Sequence, residues 1–310
     1  MTSSLPSRLT IIDAARGVAL IAMALYHFGW DLDFFGFTAL GVAETGWGRG
    51  TAITIAGSFL TLVGLSLVLG HGSGIRWRPF LIRLAMVAAA ALGVTLATSI
   101  ATPDGMVVFG ILHCIAVSSL LGLLFVRLPW FVTALVAIIC LAAPFFLKTP
   151  ALNGSAWVWL GLGSVPPRTN DYEPLLPWLG FVLAGIALAR AVPPAHWPQP
   201  GLANVPGRGL RFLGRHSLAF YLLHQPILFG ACWLAAQVFT PSPDNEATAF
   251  RSQCVSACRV KSNGAEDCNS YCTCVSEALQ IQGLWTPVMR NTLTFDQRLK
   301  VDQVVKVCSR

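Results

Sequence analysis

The sequence predicts an all-α protein: a polytopic bundle of about seven transmembrane helices followed by a small Cys-rich helical tail. Three observations predict it. Of the 310 residues, 55% are hydrophobic and only 11% are charged, with a mean hydropathy of +0.64, where a soluble domain carries roughly a quarter charged residues. The apolar residues fall in runs of about 20, the length that crosses a hydrocarbon core as a helix. Six of the nine cysteines lie in residues 241–310, so the chain divides into a membrane domain over 1–240 and a tail over 241–310. The net charge of +7 is dispersed between the apolar runs rather than gathered in a patch, so the basic residues read as topology signals and no nucleic acid is expected as a partner.

The first span, Leu9–Phe28, organises the rest. At helical spacing Arg16, Leu20, Met23, His27 and Asp31 share one face. Ionisable groups are costly in hydrocarbon, so such a face turns toward a protein interior or an aqueous cavity. Asp13 and Arg16 interrupt the apolar run and no small-residue cleavage pattern follows, so the segment is expected to be retained rather than removed as a signal. Asp31–Leu40 is too short to span and reads as re-entrant or interfacial.

Six further spans follow at Thr51–Leu69, Pro79–Ile100, Val107–Val126, Pro129–Leu147, Leu175–Ala191 and His216–Phe239. Trp30, Trp47, Trp77, Trp130 and Trp178 stand near span ends, as in aromatic belts. On the side of the N-terminus, loops and helix ends carry ten arginines: 8, 16, 76, 78, 83, 127, 190, 208, 211 and 215. The other side carries only Arg49, Lys148 and Arg168 before residue 240. The bias predicts a cytoplasmic N-terminus, and an odd number of spans then places the tail outside the cytoplasm.

In the tail, Cys254 and Cys258, then Cys268 and Cys272, are spaced to share one helical face each. Two such pairs flanking Asn263-Gly264 predict a helical hairpin stapled by two bridges, Cys254–Cys272 outside and Cys258–Cys268 inside. Cys274 with Cys308 then closes a longer loop. In a reducing compartment the same residues would suit zinc; the expected topology favours disulfides and no metal. Cys114, Cys140 and Cys232 fall within spans and read as small hydrophobes.

Several polar constellations remain. His27 reads either as a base or nucleophile oriented by Asp31, or as an interfacial histidine bonded to a loop. His113, on the fourth span beside Gly110, reads as a second site histidine or as a packing residue. Ser217, Tyr221 and His224 align on the last span, where Pro226 cannot donate to Leu222. Arg208, Arg211, Arg215 and His216 form a phosphate-suited cluster at the inner mouth, or a plain topology signal. Asp171 and Glu173, in the loop 165–178, could hold an amine or polyol, or be solvated. No Walker A loop, nucleophile elbow, HExxH or dinucleotide fingerprint is present.

The blocks RLTIIDAARGVALIAMALYHFGWDL, GSFLTLVGLSL, VVFGILHCIAVSSLL, DYEPLLPWLGFVLAGIAL and GRHSLAFYLLHQPIL together resemble the bacterial branch of the heparan-alpha-glucosaminide N-acetyltransferase catalytic domain family, over about residues 8–235. The resemblance implies a transmembrane acyltransferase of a bacterial inner membrane. It would take an acetyl group from cytosolic acetyl-CoA and pass it to an amine or hydroxyl of an extracytoplasmic sugar or glycan. Lined up on Trp47, Glu44 stands where the lysosomal enzyme of that family has a histidine, and His27 is the nearest replacement. The site expected on this basis is His27, Asp31, His113 and Asp171 for catalysis. The CoA thioester is expected on Arg16, Arg83, Arg208, Arg211, Arg215, His216, Tyr221 and His224. Two other readings compete: a bis-histidine haem protein using His27 and His113, and a transporter or flippase. The lipid bilayer is a partner in all three, and an oligomer is compatible with each.

Overall fold

The computed structural model describes residues 10–42, 45–167, 169–192, 197, 205–239, 243–262, 267–289 and 293–309. Glu44, Arg168 and the expected Asn263-Gly264 turn lie outside them. Among the described residues there is no β-strand, and twelve α-helices follow in order. They are α1 Thr10–Phe34, α2 Gly46–His71, α3 Trp77–Ala101, α4 Ile111–Gly122, α5 Trp130–Phe146 and α6 Leu175–Ala191. Then come α7 Val205–Arg215, α8 Ser217–Val238, α9 Pro243–Ser262, α10 Cys268–Ile281, α11 Trp285–Met289 and α12 Phe295–Cys308.

Four of these, α1, α2, α3 and α8, are long and apolar enough to cross a membrane, while α4, α5 and α6 are shorter apolar helices. The fourth apolar run is the clearest departure from the expected full-length spans. Gly110 is extended (φ −96°, ψ −172°), so α4 begins only at Ile111. After Gly122 the backbone tightens into i→i+3 turns, with Leu124 N–H on the Leu121 carbonyl and Phe125 N–H on Gly122. In α6, Leu176 is extended (φ −106°, ψ 126°), as the residue before a proline prefers.

The chain forms two compact units, residues 1–27 with 50–227, and 28–49 with 228–310. In the first, α6 is central. Its sequence is apolar on every side, the pattern of a helix walled in by others. Val182, Leu183 and Ile186 are fully buried. Close approach to α2 depends on two glycines: a Cβ on Gly64 would overlap the Val182 carbonyl, and one on Gly185 the Thr61 carbonyl. Trp178 belongs to this core, 8% exposed and 5.5 Å from the Phe181 ring. Its placement in an aromatic belt is therefore corrected, because α6 presents no face to the surroundings at that point. By contrast Leu92, Leu96, Ile138, Ile139 and Leu223 are exposed, an apolar surface suited to lipid rather than water.

The first unit also holds α1 against α7. Gly17 packs on the Leu210 carbonyl and Gly214 on that of Asp13. Asp13, 2% exposed, receives Arg16 at 3.4 Å and the Arg215 Nε at 3.5 Å.

In the second unit, α1 continues beyond the expected end of the first span. The Asp33 carboxylate accepts the N–H of Leu40 (2.8 Å) and Val42 (2.9 Å) and the Thr38 hydroxyl (2.7 Å), so the segment to Leu40 is a carboxylate-centred turn. The Asn245 amide reaches the Phe37 carbonyl at 3.3 Å. Along the tail, disulfides join Cys254 to Cys272 and Cys258 to Cys268, the two pairings expected from helical spacing, and Cys274 to Cys308, the expected pairing of the remaining two. Asp267 caps α10 and Thr294 caps α12. A small core of Val275, Leu279, Leu284 and Val304 closes beneath them.

Candidate functional site

Polar side chains of the first unit gather in two places. One is a cavity of about 180 Å³ among the C-terminal part of α2, the start of α3 and the middle of α4. Val63, Leu67, Phe80 and Ile115 give it an apolar floor, and Ser66, Ser119, His71, Arg76 and Arg83 supply polar groups. The Ser66 hydroxyl also receives the Arg16 guanidinium, which brings the α1 arginine to the cavity wall. His71 Nδ1 accepts the Arg76 N–H at 3.2 Å, so a neutral His71 carries its proton on Nε2. Of these residues the sequence singled out Arg16 and Arg83. Arg76 counts in the sequence as one of the ten arginines that set topology, and nothing in the sequence singles out His71.

The second place joins the part of α1 around His27 and the first turns of α4 and α8 with the loop before α6. The rings of His27 and His224 lie 5.1 Å apart. His224 is 8% exposed, and its Nδ1 lies 2.7 Å from the Tyr221 carbonyl oxygen. A carbonyl has no proton to give, so Nδ1–H is the donor and the lone pair of the neutral ring is on Nε2. That Nε2 is buried and has no hydrogen-bond partner among the described residues. The hydroxyl of the same Tyr221 donates to the Asp171 carboxylate. Asp171 Oδ2 accepts the N–H of Ile111 at 3.0 Å, and Gly110 leaves room for it, since a Cβ there would meet that oxygen.

Loop and helix are laced together around this contact. Asn170 N–H bonds the Gly105 carbonyl (2.9 Å) and Glu173 N–H the Phe109 carbonyl (3.2 Å). Burial pushes the Asp171 carboxyl up to about 6, against the opposing pull of the Ile111 N–H and the Tyr221 hydroxyl. Burial, then the adjoining Asp171 charge, pushes Glu173 up to about 9. Glu173 Oε2 is buried without a hydrogen-bond partner among the described residues. Both shifts favour the protonated forms, that of Glu173 the more strongly.

The remaining expected residues stand elsewhere or serve the fold. His113 lies in the first turn of α4 rather than deep in a span. Its Nδ1 accepts the Gly110 N–H at 3.3 Å, and its Nε2 faces the Thr95 hydroxyl at 3.3 Å, which itself donates to the Val107 carbonyl at 2.7 Å. Both ring nitrogens are engaged, so His113 caps a helix and is not open to a haem iron. Asp31 is fully buried, one helical turn after His27 in α1, and belongs to the second unit. Arg215 is held by Asp13, Arg211 Nε donates to the Gly207 carbonyl, His216 Nδ1 donates to that of Phe212, and Arg208 is exposed.

A known family matches most of the chain. The profile described as Heparan-alpha-glucosaminide N-acetyltransferase, catalytic, matches residues 8–226, which takes in both polar places. No curated protein and no solved structure matches the chain.

Proposed function

The chain belongs to the heparan-alpha-glucosaminide N-acetyltransferase catalytic family, and from that premise we propose that it is an integral membrane enzyme that moves an acetyl group from acetyl-CoA to an amine or hydroxyl of a sugar on the opposite side of the bilayer. The observation that carries this reading is the pairing of His27 with His224, one residue removed through Tyr221 from the Asp171–Glu173 pair.

The parts divide as the chemistry requires. The cavity at the arginine-rich end offers Arg76, Arg83 and hydroxyls to phosphates and an apolar floor to a slender chain. Positive-inside bias assigns that end to the cytoplasm, where CoA is. Acyl transfer needs a base for the acceptor, a role that suits an imidazole of this pair. The carboxylates suit an acceptor amine, which Asp171 attracts as a cation and Glu173 meets in its protonated form.

Purified protein in detergent, given acetyl-CoA and glucosamine, is expected to release CoA thiol and N-acetylglucosamine together. Movement of sugar across vesicles without thioester turnover would instead support the transporter reading.

A further inference from the structure

We propose that His224, and not His27, takes the proton from the acceptor during acyl transfer. The inference rests on the acyltransferase reading. It goes beyond it by assigning the base to one atom, Nε2 of His224.

The assignment rests on the tautomer and on a lone pair left without a donor. The Tyr221 carbonyl fixes the proton on Nδ1, which leaves Nε2 basic and pre-oriented without any rearrangement at the moment of reaction. That atom is buried and takes no hydrogen bond from the described residues. A buried ring nitrogen without a donor is uncommon, since burying a polar atom unpaired costs free energy. A substrate N–H or O–H placed there would satisfy it. Phe220, whose ring is parallel to that of His224 at 6.1 Å, and His27 at 5.1 Å hold the imidazole from two directions. Among the described residues no comparable backbone bond sets the tautomer of His27. His27 is therefore assigned to positioning the reactants beside the base.

The step balances without another reagent. An amine that arrives as a cation first gives one proton to the Asp171 carboxylate; the neutral nitrogen, or a hydroxyl oxygen, then forms a bond to the thioester carbonyl carbon as Nε2 takes its proton. The carbon–sulfur bond breaks with its electron pair on sulfur. The imidazolium then returns the proton to the thiolate, which leaves as CoA thiol, and the ring is neutral again.

His224→Asn separates this role from a structural one. Asn keeps an N–H that can reach the Tyr221 carbonyl but has no basic lone pair at the Nε2 position. The expected result is a loss of turnover of about 10²–10⁴-fold with an unchanged thermal midpoint and unchanged CoA binding. Turnover within threefold of the wild type, or a loss matched by a fallen midpoint, overturns the assignment. If the Asn variant does not fold, His224→Ala in imidazole buffer replaces it. Turnover restored in proportion to imidazole supports the base role, and no restoration overturns it. Wild-type protein that never releases CoA thiol from acetyl-CoA with glucosamine removes the acyltransferase reading itself, an outcome distinct from an active wild type with an equally active Asn variant.

Discussion

The Asp171 carboxylate accepts the first N–H of α4, at Ile111, over a distance of 3.0 Å. A loop residue thereby ties down a helix start sixty positions earlier, and the same carboxylate receives the Tyr221 hydroxyl. Asp171→Ala leaves both donors without their acceptor and is expected to cost about 1–3 kcal/mol. Asp171→Asn, which keeps a carbonyl oxygen there, should recover most of it. Thermal unfolding of the two variants in the same detergent checks the order.

The pH dependence of stability follows from Glu173. Its carboxyl is raised to about 9 in the fold, and that of Asp171 to about 6, against an unfolded carboxylate near 4. Between those values the folded chain binds more protons than the unfolded one. Stability is therefore greatest at acid pH and falls as pH rises through 6 toward 9. Glu173→Gln, neutral at every pH, should flatten the alkaline part of that slope. Thermal midpoints at half-unit pH steps would show it, and parallel curves for variant and wild type would contradict it.

At the other end of the first unit, the cavity arginines are expected to matter more than those on the exposed face of α7. Arg76→Ala with Arg83→Ala should weaken CoA binding at least tenfold, because charge-assisted contacts to phosphate are among the stronger polar interactions. Arg208→Ala should change it less than threefold. Binding isotherms with CoA itself, at fixed ionic strength, compare them directly.

Cys272 is completely buried in the tail and bonded to Cys254. Cys272→Ala removes a disulfide and some packing at once, with an expected loss of about 2–5 kcal/mol in the tail. Non-reducing peptide maps of the wild type should yield the three linked pairs 254–272, 258–268 and 274–308.

How far the sequence could be read depended on the range of the interaction. The disulfide ladder was legible because cysteine spacing and helix geometry are both local, as were the apolar runs that became α1, α2, α3 and α8. The length of α4 was not, since the extended Gly110 answers to the Asp171 loop, sixty positions away. The family resemblance was legible in several separate blocks and coincides with the matched residues 8–226. His27 and His224 were each singled out, but nothing in the sequence says that α1 and α8 bring them together. His113 looked like their equal. Only the hydrogen bonds to Gly110 and Thr95 show it closing a helix end. Likewise Arg16 and Arg215 looked like two phosphate ligands until Asp13 was found between them.

That shared carboxylate bears on the order in which the molecule is made. Asp13 is synthesised before Arg215, which follows five further apolar helices. The groove that seats α1, with the Leu210 carbonyl on Gly17 and Gly214 on Asp13, does not exist until α7 has been synthesised. The surroundings of α1 are thus complete only after α2 to α7 have followed it, and during that interval Arg16, one turn away on the same helix, is a counter-charge already at hand for Asp13.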